Sequence, residues 1–156
     1  ITVTMLANYS YKMLGASAAR GVNFGKFYNL QQTLDRICQS KMVFLAEIHA
    51  NPPVVALQKV IQEHLIADPK VHLNLFLEHF SFEQQHLLDG YQAGDLTLEQ
   101  VIEKYKEIGT EGHDLEKYRD CLEHAKEHKD KIRLIGGFIP RTYAKIVMRE
   151  SEEAAV

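Results

Sequence analysis

The chain has 156 residues, of which 46% are hydrophobic and 25% charged, so it is long enough for one domain with a hydrophobic core. A net charge of −3 gives no electrostatic basis for binding nucleic acid. No apolar run reaches the roughly 18 residues that a transmembrane helix needs, so we expect a soluble protein. The two cysteines, Cys38 and Cys121, match no metal-ligand spacing.

The start of the chain has an unusual charge pattern. Residues 1–34 contain no Asp or Glu, yet they carry Lys12, Arg20 and Lys26 among Ser, Ala and Tyr residues. This composition is typical of an organelle transit peptide, although an ordinary flexible segment can share it. We therefore expect residues 1–26 to be a flexible or targeting-like segment, and an organellar protein is one interpretation. Because the chain does not begin with Met, we expect it to be a piece of something longer.

A helix, a strand and a second helix are predicted first. Residues 27–38 carry apolar side chains at helical spacing. Residues 42–45 are continuously apolar, which is typical of a strand that is buried on both faces. Asn51 is followed by two prolines, and this pattern predicts a helix start because Asn caps free amides and Pro suits the first turn.

A second strand is predicted over residues 71–77 and a third over 132–135. Gly136 and Gly137 then predict a turn, and Pro140 a final helix through residue 149. Three further helices are predicted between the second and third strands. Their N-terminal capping residues are Ser81 with Gln84, Thr97 with Gln100, and Asp114.

This order of elements predicts an α/β domain, with a parallel or mostly parallel sheet flanked by helices. Residues 81–128 would form a helical insertion between the second and third strands, long enough to cover the sheet edge. We expect a single domain over residues 27–150 and a frayed tail over 151–156.

Polar side chains follow each predicted strand, at the ends where open parallel sheets bind ligands. Glu47 and His49 point to one face of an extended segment, so they can hold a divalent metal, pass a proton, or only satisfy each other. Glu78 ends an apolar strand, where an unpaired carboxylate would be costly, so it needs a structural partner or a ligand. Arg141, in the first turn of a helix, suits an anion or a salt bridge to either glutamate.

His113 is the most interesting of the other histidines, because it lies in a Gly-His-Asp loop just before the helix that carries Tyr118. Such a pair can ligate iron or bind an acidic ligand, or it can be a capping loop beside a core tyrosine. Three other histidines are expected on solvated helix surfaces, namely His64, His124 and His128. His86 is expected at the edge of the core. The sequence contains no Gly-rich phosphate loop, nucleophile elbow or Cys-x-x-Cys motif.

These phrases, taken together and in order, resemble the ChaN-like haem-binding family of the Tiki superfamily. Residues 43–52 resemble its "VFLGEIHDNP" opening and residues 77–80 its "LEMF" strand end. The later phrases "YLAGEL", "GHD…YRPLL" and "NAPR" resemble residues 90–96, 112–119 and 139–141. Any one phrase is weak, but the ordered set covers most of the chain and is fairly specific.

The resemblance implies a non-catalytic protein that handles haem or iron, in bacteria often a membrane-anchored lipoprotein that forms a homodimer around haem. Haem iron in that family is held by a tyrosine, with a histidine from the partner subunit. Tyr118 is the first choice for this tyrosine, and the alternatives are Tyr91, Tyr105 and Tyr143. The other expected cofactor-binding residues are His113, His49 and Arg141.

Two alternatives follow from the same resemblance. Superfamily relatives use residues that match Glu47, His49 and Glu78 in metal-dependent hydrolysis, so a divalent metal is the alternative cofactor. Ala46 replaces a family Gly and Ala50 a family Asp, which also allows a degenerate member that serves as a partner-binding scaffold. The chain ends before a later family motif, so we expect the domain to lack its C-terminal part.

Overall fold

The computed structural model describes the chain over four ranges, which are residues 2–5, 21–23, 26–108 and 112–149. The chain divides into two compact units, Ile1–Val71 and His72–Val156. Most of the basic N-terminal segment and the tail at 151–156 lie outside the described residues. The domain bounds predicted from the sequence stay a prediction.

The first unit contains a parallel and an antiparallel strand pair. Strand β1 (Thr2–Met5) runs parallel to β4 (Met42–Leu45), while β2 (Gly21–Asn23) and β3 (Lys26–Tyr28) form an antiparallel pair. Strand β4 occupies the predicted residues. The prediction that it is buried on both faces is wrong, because its side chains alternate between exposed and half-buried along the strand.

Two helices pack on the half-buried face of β4. Helix α1 (Leu30–Cys38) starts later than predicted, at the N-cap Asn29, whose side chain forms a capping box with Gln32. Helix α2 (Pro52–Ile66) begins at the predicted proline, but the Asn51 side chain makes no capping hydrogen bond. The core of this unit is built from aliphatic residues of both helices, namely Leu34, Ile37, Leu57 and Ile61, with Val43 and Leu45 of β4 packed against them.

The second unit contains a parallel pair of longer strands, β5 (Leu73–Ser81) and β6 (Ile132–Phe138). Strand β5 starts two residues later than predicted and ends four residues later, while β6 starts where predicted and ends three residues later. Gly136 and Gly137 lie within β6, so the predicted turn is wrong. The physical reason is close approach of the two backbones, because a Cβ on Gly136 would collide with the carbonyl oxygen of Ser81.

The ladder between β5 and β6 is irregular near its end. Leu77 pairs with Gly136, and the next paired residues are Ser81 and Phe138. Three residues of β5, numbered 78–80, therefore stand against Gly137 alone, as in a large β-bulge. Burial changes at the same place, since alternating exposure along β5 gives way to three consecutive buried side chains, His79, Phe80 and Ser81.

Among the described residues, three helices lie between β5 and β6 in the sequence, and a fourth follows β6. They are α3 (Gln85–Ala93), α4 (Leu98–Ile108), α5 (Arg119–Glu127) and α6 (Arg141–Arg149), with short 3₁₀ turns at Phe82–Gln84 and Leu115–Tyr118. Both predicted capping boxes form, but the Asp114 side chain makes no capping hydrogen bond. Parallel strand pairs flanked by helices, with a helical insertion between β5 and β6, confirm the predicted α/β class. None of the described helices has both the length and the apolar character needed to cross a membrane.

Two glutamines of α3 cover the outer edge of β6. The Gln85 amide donates to the carbonyl of Leu134 (3.1 Å) and accepts from the Gly136 N–H (2.8 Å). One step along the strand, the Gln92 amide donates to the carbonyl of Ile132 (2.7 Å) and accepts from the Leu134 N–H (2.8 Å). These amides replace a neighbouring strand, so this edge is paired and α3 is fixed against the sheet.

Candidate functional site

The loop after β4 brings Glu47 and His49 together in the first unit. Nδ1 of His49 lies 2.8 Å from Oε1 of Glu47. Gln58, on α2, donates its side-chain N–H to the other oxygen, Oε2. The Glu47 side chain is only 7% exposed whereas His49 is 52% exposed, so a buried carboxylate holds an imidazole that faces solvent.

This arrangement gives the two residues different chemical roles. A neutral His49 that donates Nδ1–H to Glu47 has its lone pair on Nε2, which is the tautomer that carboxylates impose on metal-binding histidines. Both oxygens of Glu47 already have partners. Glu47 is therefore suited to orient His49, and His49 is the better placed of the two to ligate an ion.

Ala50, in the same loop, has a backbone conformation that is unfavourable for alanine. Its φ is +56°, in the left-handed region. This region costs an L-residue roughly 1–2 kcal/mol, and Asn and Asp tolerate it better than Ala does. Ala50, which stands where the motif that this loop resembles has Asp, is thus a strained residue just before α2.

The second unit contains a cluster of three rings centred on His79, which lies in the bulge of β5 and is 6% exposed. Its ring centroid is 3.9 Å from that of Tyr118 and 4.8 Å from that of His113. The sequence singled out His113 and Tyr118, and the structure brings both to His79. The sequence did not single out His79, and its one available signal was its position at the end of an apolar run.

His113 is held by its backbone as well as by its ring contact. Its N–H donates to the hydroxyl of Tyr105 (3.3 Å), a buried residue of α4 whose ring packs on Phe80 at a centroid distance of 5.2 Å. Gly112, just before it, has a φ of +73°, which favours glycine. His113 is half-buried whereas Tyr118 is 4% exposed, so His113 is the outer group of the cluster.

Arg141 lies close to this loop, exposed at the first residue of α6. A Cβ placed on Gly112 would be 3.9 Å from Nη1 of Arg141. The two residues before Pro140 present apolar surface, since Phe138 is 49% exposed and Ile139 66% exposed. A cation therefore adjoins the loop that carries His113, and two exposed apolar residues precede that cation in the sequence.

Glu78 belongs to the second unit, whereas Glu47 and His49 belong to the first. Its side chain is exposed, although its neighbour His79 is buried. The prediction that Glu78 needs a partner because it ends a buried strand is wrong, since an exposed carboxylate keeps its hydration. Its role as a metal ligand stays a prediction.

Each of the three alternative tyrosines already interacts with another side chain or with the backbone. Burial, with a smaller contribution from Glu123, raises the pKa of Tyr91 to about 12. Nζ of Lys126 lies 4.4 Å from the centroid of its ring. Tyr105 accepts the His113 N–H, and Tyr143 donates to Glu83 at 3.3 Å. A phenol ligates iron as its phenolate, so the raised pKa makes Tyr91 the poorest of these candidates.

Two of the minor predictions about histidines are wrong. His124 was expected on a solvated surface but is 6% exposed, with its ring 4.5 Å from that of His128, because it falls on the packed face of α5. His86 was expected at the core edge but is exposed, with Nδ1 2.9 Å from the carbonyl oxygen of Glu83.

Comparison with known proteins identifies the family. A family model described as "Haem-binding uptake, Tiki superfamily, ChaN" matches residues 33–155, well over half of the chain. No curated protein and no solved structure matches the chain. The matched range contains every candidate residue described above. The chain therefore belongs to the ChaN-like haem-binding family of the Tiki superfamily.

Proposed function

We propose that this chain binds haem through its second unit and serves in haem or iron handling without catalysing a reaction. Tyr118 and His113 would supply the iron ligands, and Arg141 would bind a propionate. The observation that carries the proposal is the pair of ring contacts from His79 to Tyr118 and His113. Family membership supports the same cofactor.

The ligand types in the cluster suit haem iron, which proteins hold through imidazole or phenolate groups. His113 is half-buried and is the group that an incoming haem meets first. Tyr118 is buried and packs against His79, so we expect its phenol to reach iron only after a local rearrangement of the rings.

Arg141 and the two apolar residues before Pro140 would supply the other two requirements of a haem site. A guanidinium binds carboxylates through two parallel hydrogen bonds, and the first turn of α6 adds backbone N–H groups that favour an anion. Phe138 and Ile139 offer apolar surface for the porphyrin ring. Arg141 therefore suits a propionate while the apolar side chains suit the macrocycle.

Haemin titration followed by absorption tests this proposal. We expect wild-type protein to saturate at one equivalent with a tyrosinate-type charge-transfer band. That band should disappear in Tyr118→Phe but remain in Tyr91→Phe, a matched control in the same unit. An unchanged haemin spectrum on addition of wild-type protein would count against haem binding.

A homodimer around haem is part of the proposal, and it rests on the family resemblance. Light scattering after size exclusion, with and without haemin, measures it directly. We expect the mass to double when haemin is bound. A monomeric mass at saturating haemin would rule out the dimer and leave haem binding intact.

The pair Glu47–His49 favours a second candidate function, which is metal-dependent hydrolysis. A carboxylate that orients an imidazole through Nδ1 is a common outer partner of metal-binding histidines. The candidate predicts bound divalent metal that is lost in His49→Ala and retained in His64→Ala, a control on α2. If elemental analysis finds no metal in wild-type protein after metal loading, the hydrolase function is ruled out.

A further inference from the structure

We propose that His124 and His128 bind a divalent transition-metal ion at the C-terminal end of α5. The two histidines are four residues apart, so they lie one turn from each other on the same face of the helix. Their ring centroids are 4.5 Å apart and their ring planes are tilted by 40°. Both lie in the second unit, and neither belongs to the proposed haem site, so this ion site goes beyond the proposed function.

The spacing of the two rings fits two ligands of one ion. Histidines four residues apart on a helix form a metal-binding pair in other proteins, because both side chains project from one face. With metal–nitrogen bonds of about 2.1 Å, two imidazoles in adjacent positions on one ion place their ring centroids roughly 4.5–5.5 Å apart. The observed 4.5 Å lies at the lower end of that range. Ligation therefore needs the rings to turn toward a common point and no change in the helix backbone.

A hydrogen bond to the backbone prepares His128 as a ligand. Nδ1 of His128 lies 3.0 Å from the carbonyl oxygen of His124. A carbonyl oxygen only accepts, so a neutral His128 donates Nδ1–H and keeps its lone pair on Nε2. Metal-binding histidines commonly donate their other ring N–H to a carbonyl in this way, which fixes both the tautomer and the ring orientation.

Burial and the helix end favour a cation at this position. His124 is 6% exposed, so its ring is already ordered and loses little side-chain entropy when it binds an ion. His128 is half-buried and is the ligand that an ion from solvent reaches first. The C-terminal end of a helix carries a partial negative charge, which attracts a positive ion.

An ion at His128 would also stabilise the connection from α5 to β6. The carbonyl oxygen of His128 accepts the N–H of Lys131 (2.8 Å) and the N–H of Ile132 (2.7 Å), and Ile132 is the first residue of β6. An ion that binds the folded chain and not the unfolded chain shifts the equilibrium toward the folded state. Metal binding should therefore raise the midpoint of thermal unfolding.

Ligand chemistry selects the class of ion. Imidazole nitrogens suit zinc, nickel and copper, whereas magnesium and calcium require oxygen ligands. Two imidazoles fill only part of the coordination shell of such an ion, so water would occupy the remaining positions. We therefore expect Zn²⁺ to bind and Mg²⁺ not to bind.

The test titrates Zn²⁺ by calorimetry into EDTA-stripped His49→Ala/His113→Ala, a parent variant that lacks two histidines proposed above as ligands. We expect saturation at one equivalent. Adding His128→Ala should weaken binding at least tenfold, whereas adding His86→Ala should leave it unchanged. His86 is the matched control because its Nδ1 also lies near a backbone carbonyl, that of Glu83 (2.9 Å), but no histidine lies four residues before or after it in the sequence.

Two results would overturn the site, namely no Zn²⁺ binding by the parent variant, or equal affinity with and without His128→Ala. His128→Asn removes the imidazole but keeps a side-chain N–H that can donate to the His124 carbonyl, so it replaces His128→Ala if that variant folds poorly. Saturating Zn²⁺ should raise the midpoint of thermal unfolding of the parent variant and leave that of the His128 variant unchanged. Because the parent variant lacks His113, this proposal and the haem proposal fail independently.

Discussion

Each of the two units brings polar side chains together, and the two units do so in different ways. Glu47 and His49 are two residues apart and meet through the period of an extended segment, with Gln58 of the next helix as support. His79, His113 and Tyr118 come from a strand and a distant loop and turn, and they meet because the bulge in β5 directs His79 into the core. The arrangement in the first unit depends on local geometry, and the arrangement in the second depends on packing.

The largest expected loss of stability comes from Phe80→Ala, which tests whether packing positions the cluster in the second unit. Phe80 is fully buried and its ring supports Tyr105, which holds the His113 backbone. Phe80→Ala should lower the free energy of unfolding by about 3–5 kcal/mol, as truncation of a buried aromatic ring does, and should weaken haemin binding. Denaturant unfolding measures the first effect. A loss below about 1 kcal/mol would contradict the idea that this core positions the cluster.

A smaller loss of stability is expected when a glutamine of α3 can no longer bond the edge of β6. Gln92→Ala leaves the Leu134 N–H and the Ile132 carbonyl without their side-chain partners, and both residues are fully buried. Unsatisfied buried groups cost about 1–3 kcal/mol, so urea unfolding should show a loss of about 2 kcal/mol. Gln31→Ala, which removes an exposed amide bonded to Asp35, is the control and should change little. Equal losses in both variants would mean that the edge amides have no special role.

Sequence alone predicted the features that depend on neighbouring residues. The prolines after Asn51 and the capping boxes at Ser81 and Thr97 lie where the pattern placed them, because a cap requires only residues within one turn. Glu47 and His49 meet for the same reason.

Features set by close approach of distant segments could not be predicted in this way. Gly136 and Gly137 have the composition of a turn, but they lie in β6 because the Ser81 backbone passes too close for any side chain. His79 was missed because its burial follows from the bulge, which the sequence of β5 does not mark.

The strained backbone at Ala50 is expected to lower the stability of the chain. Ala50→Gly removes the Cβ that opposes the left-handed conformation, so it should raise the free energy of unfolding by about 1 kcal/mol. Ala56→Gly, inside α2, is the matched control and should lower it by roughly 0.5–1 kcal/mol. Thermal unfolding of the two variants should give shifts of opposite sign. A destabilising Ala50→Gly would show that this loop is not strained.

The smallest effect at neutral pH is expected for Tyr91→Phe. The pKa of Tyr91 is raised to about 12 in the folded chain, mainly by burial. The unfolded chain ionises this phenol at lower pH, so between about pH 10 and 12 the unfolded state binds fewer protons and stability falls as pH rises. Tyr91→Phe should flatten that fall and leave stability at pH 7 nearly unchanged. Identical alkaline profiles for variant and wild type would contradict the assignment.

The most direct test of the account is haemin titration of the His113→Ala/Tyr118→Phe double variant beside wild type. The His72→Ala/Tyr91→Phe double variant serves as the control, because it carries the same chemical changes outside the cluster. We predict saturation at one equivalent for wild type and control, and no saturable binding for the cluster variant. Identical titration curves for all three proteins would show that haem does not bind through these ligands.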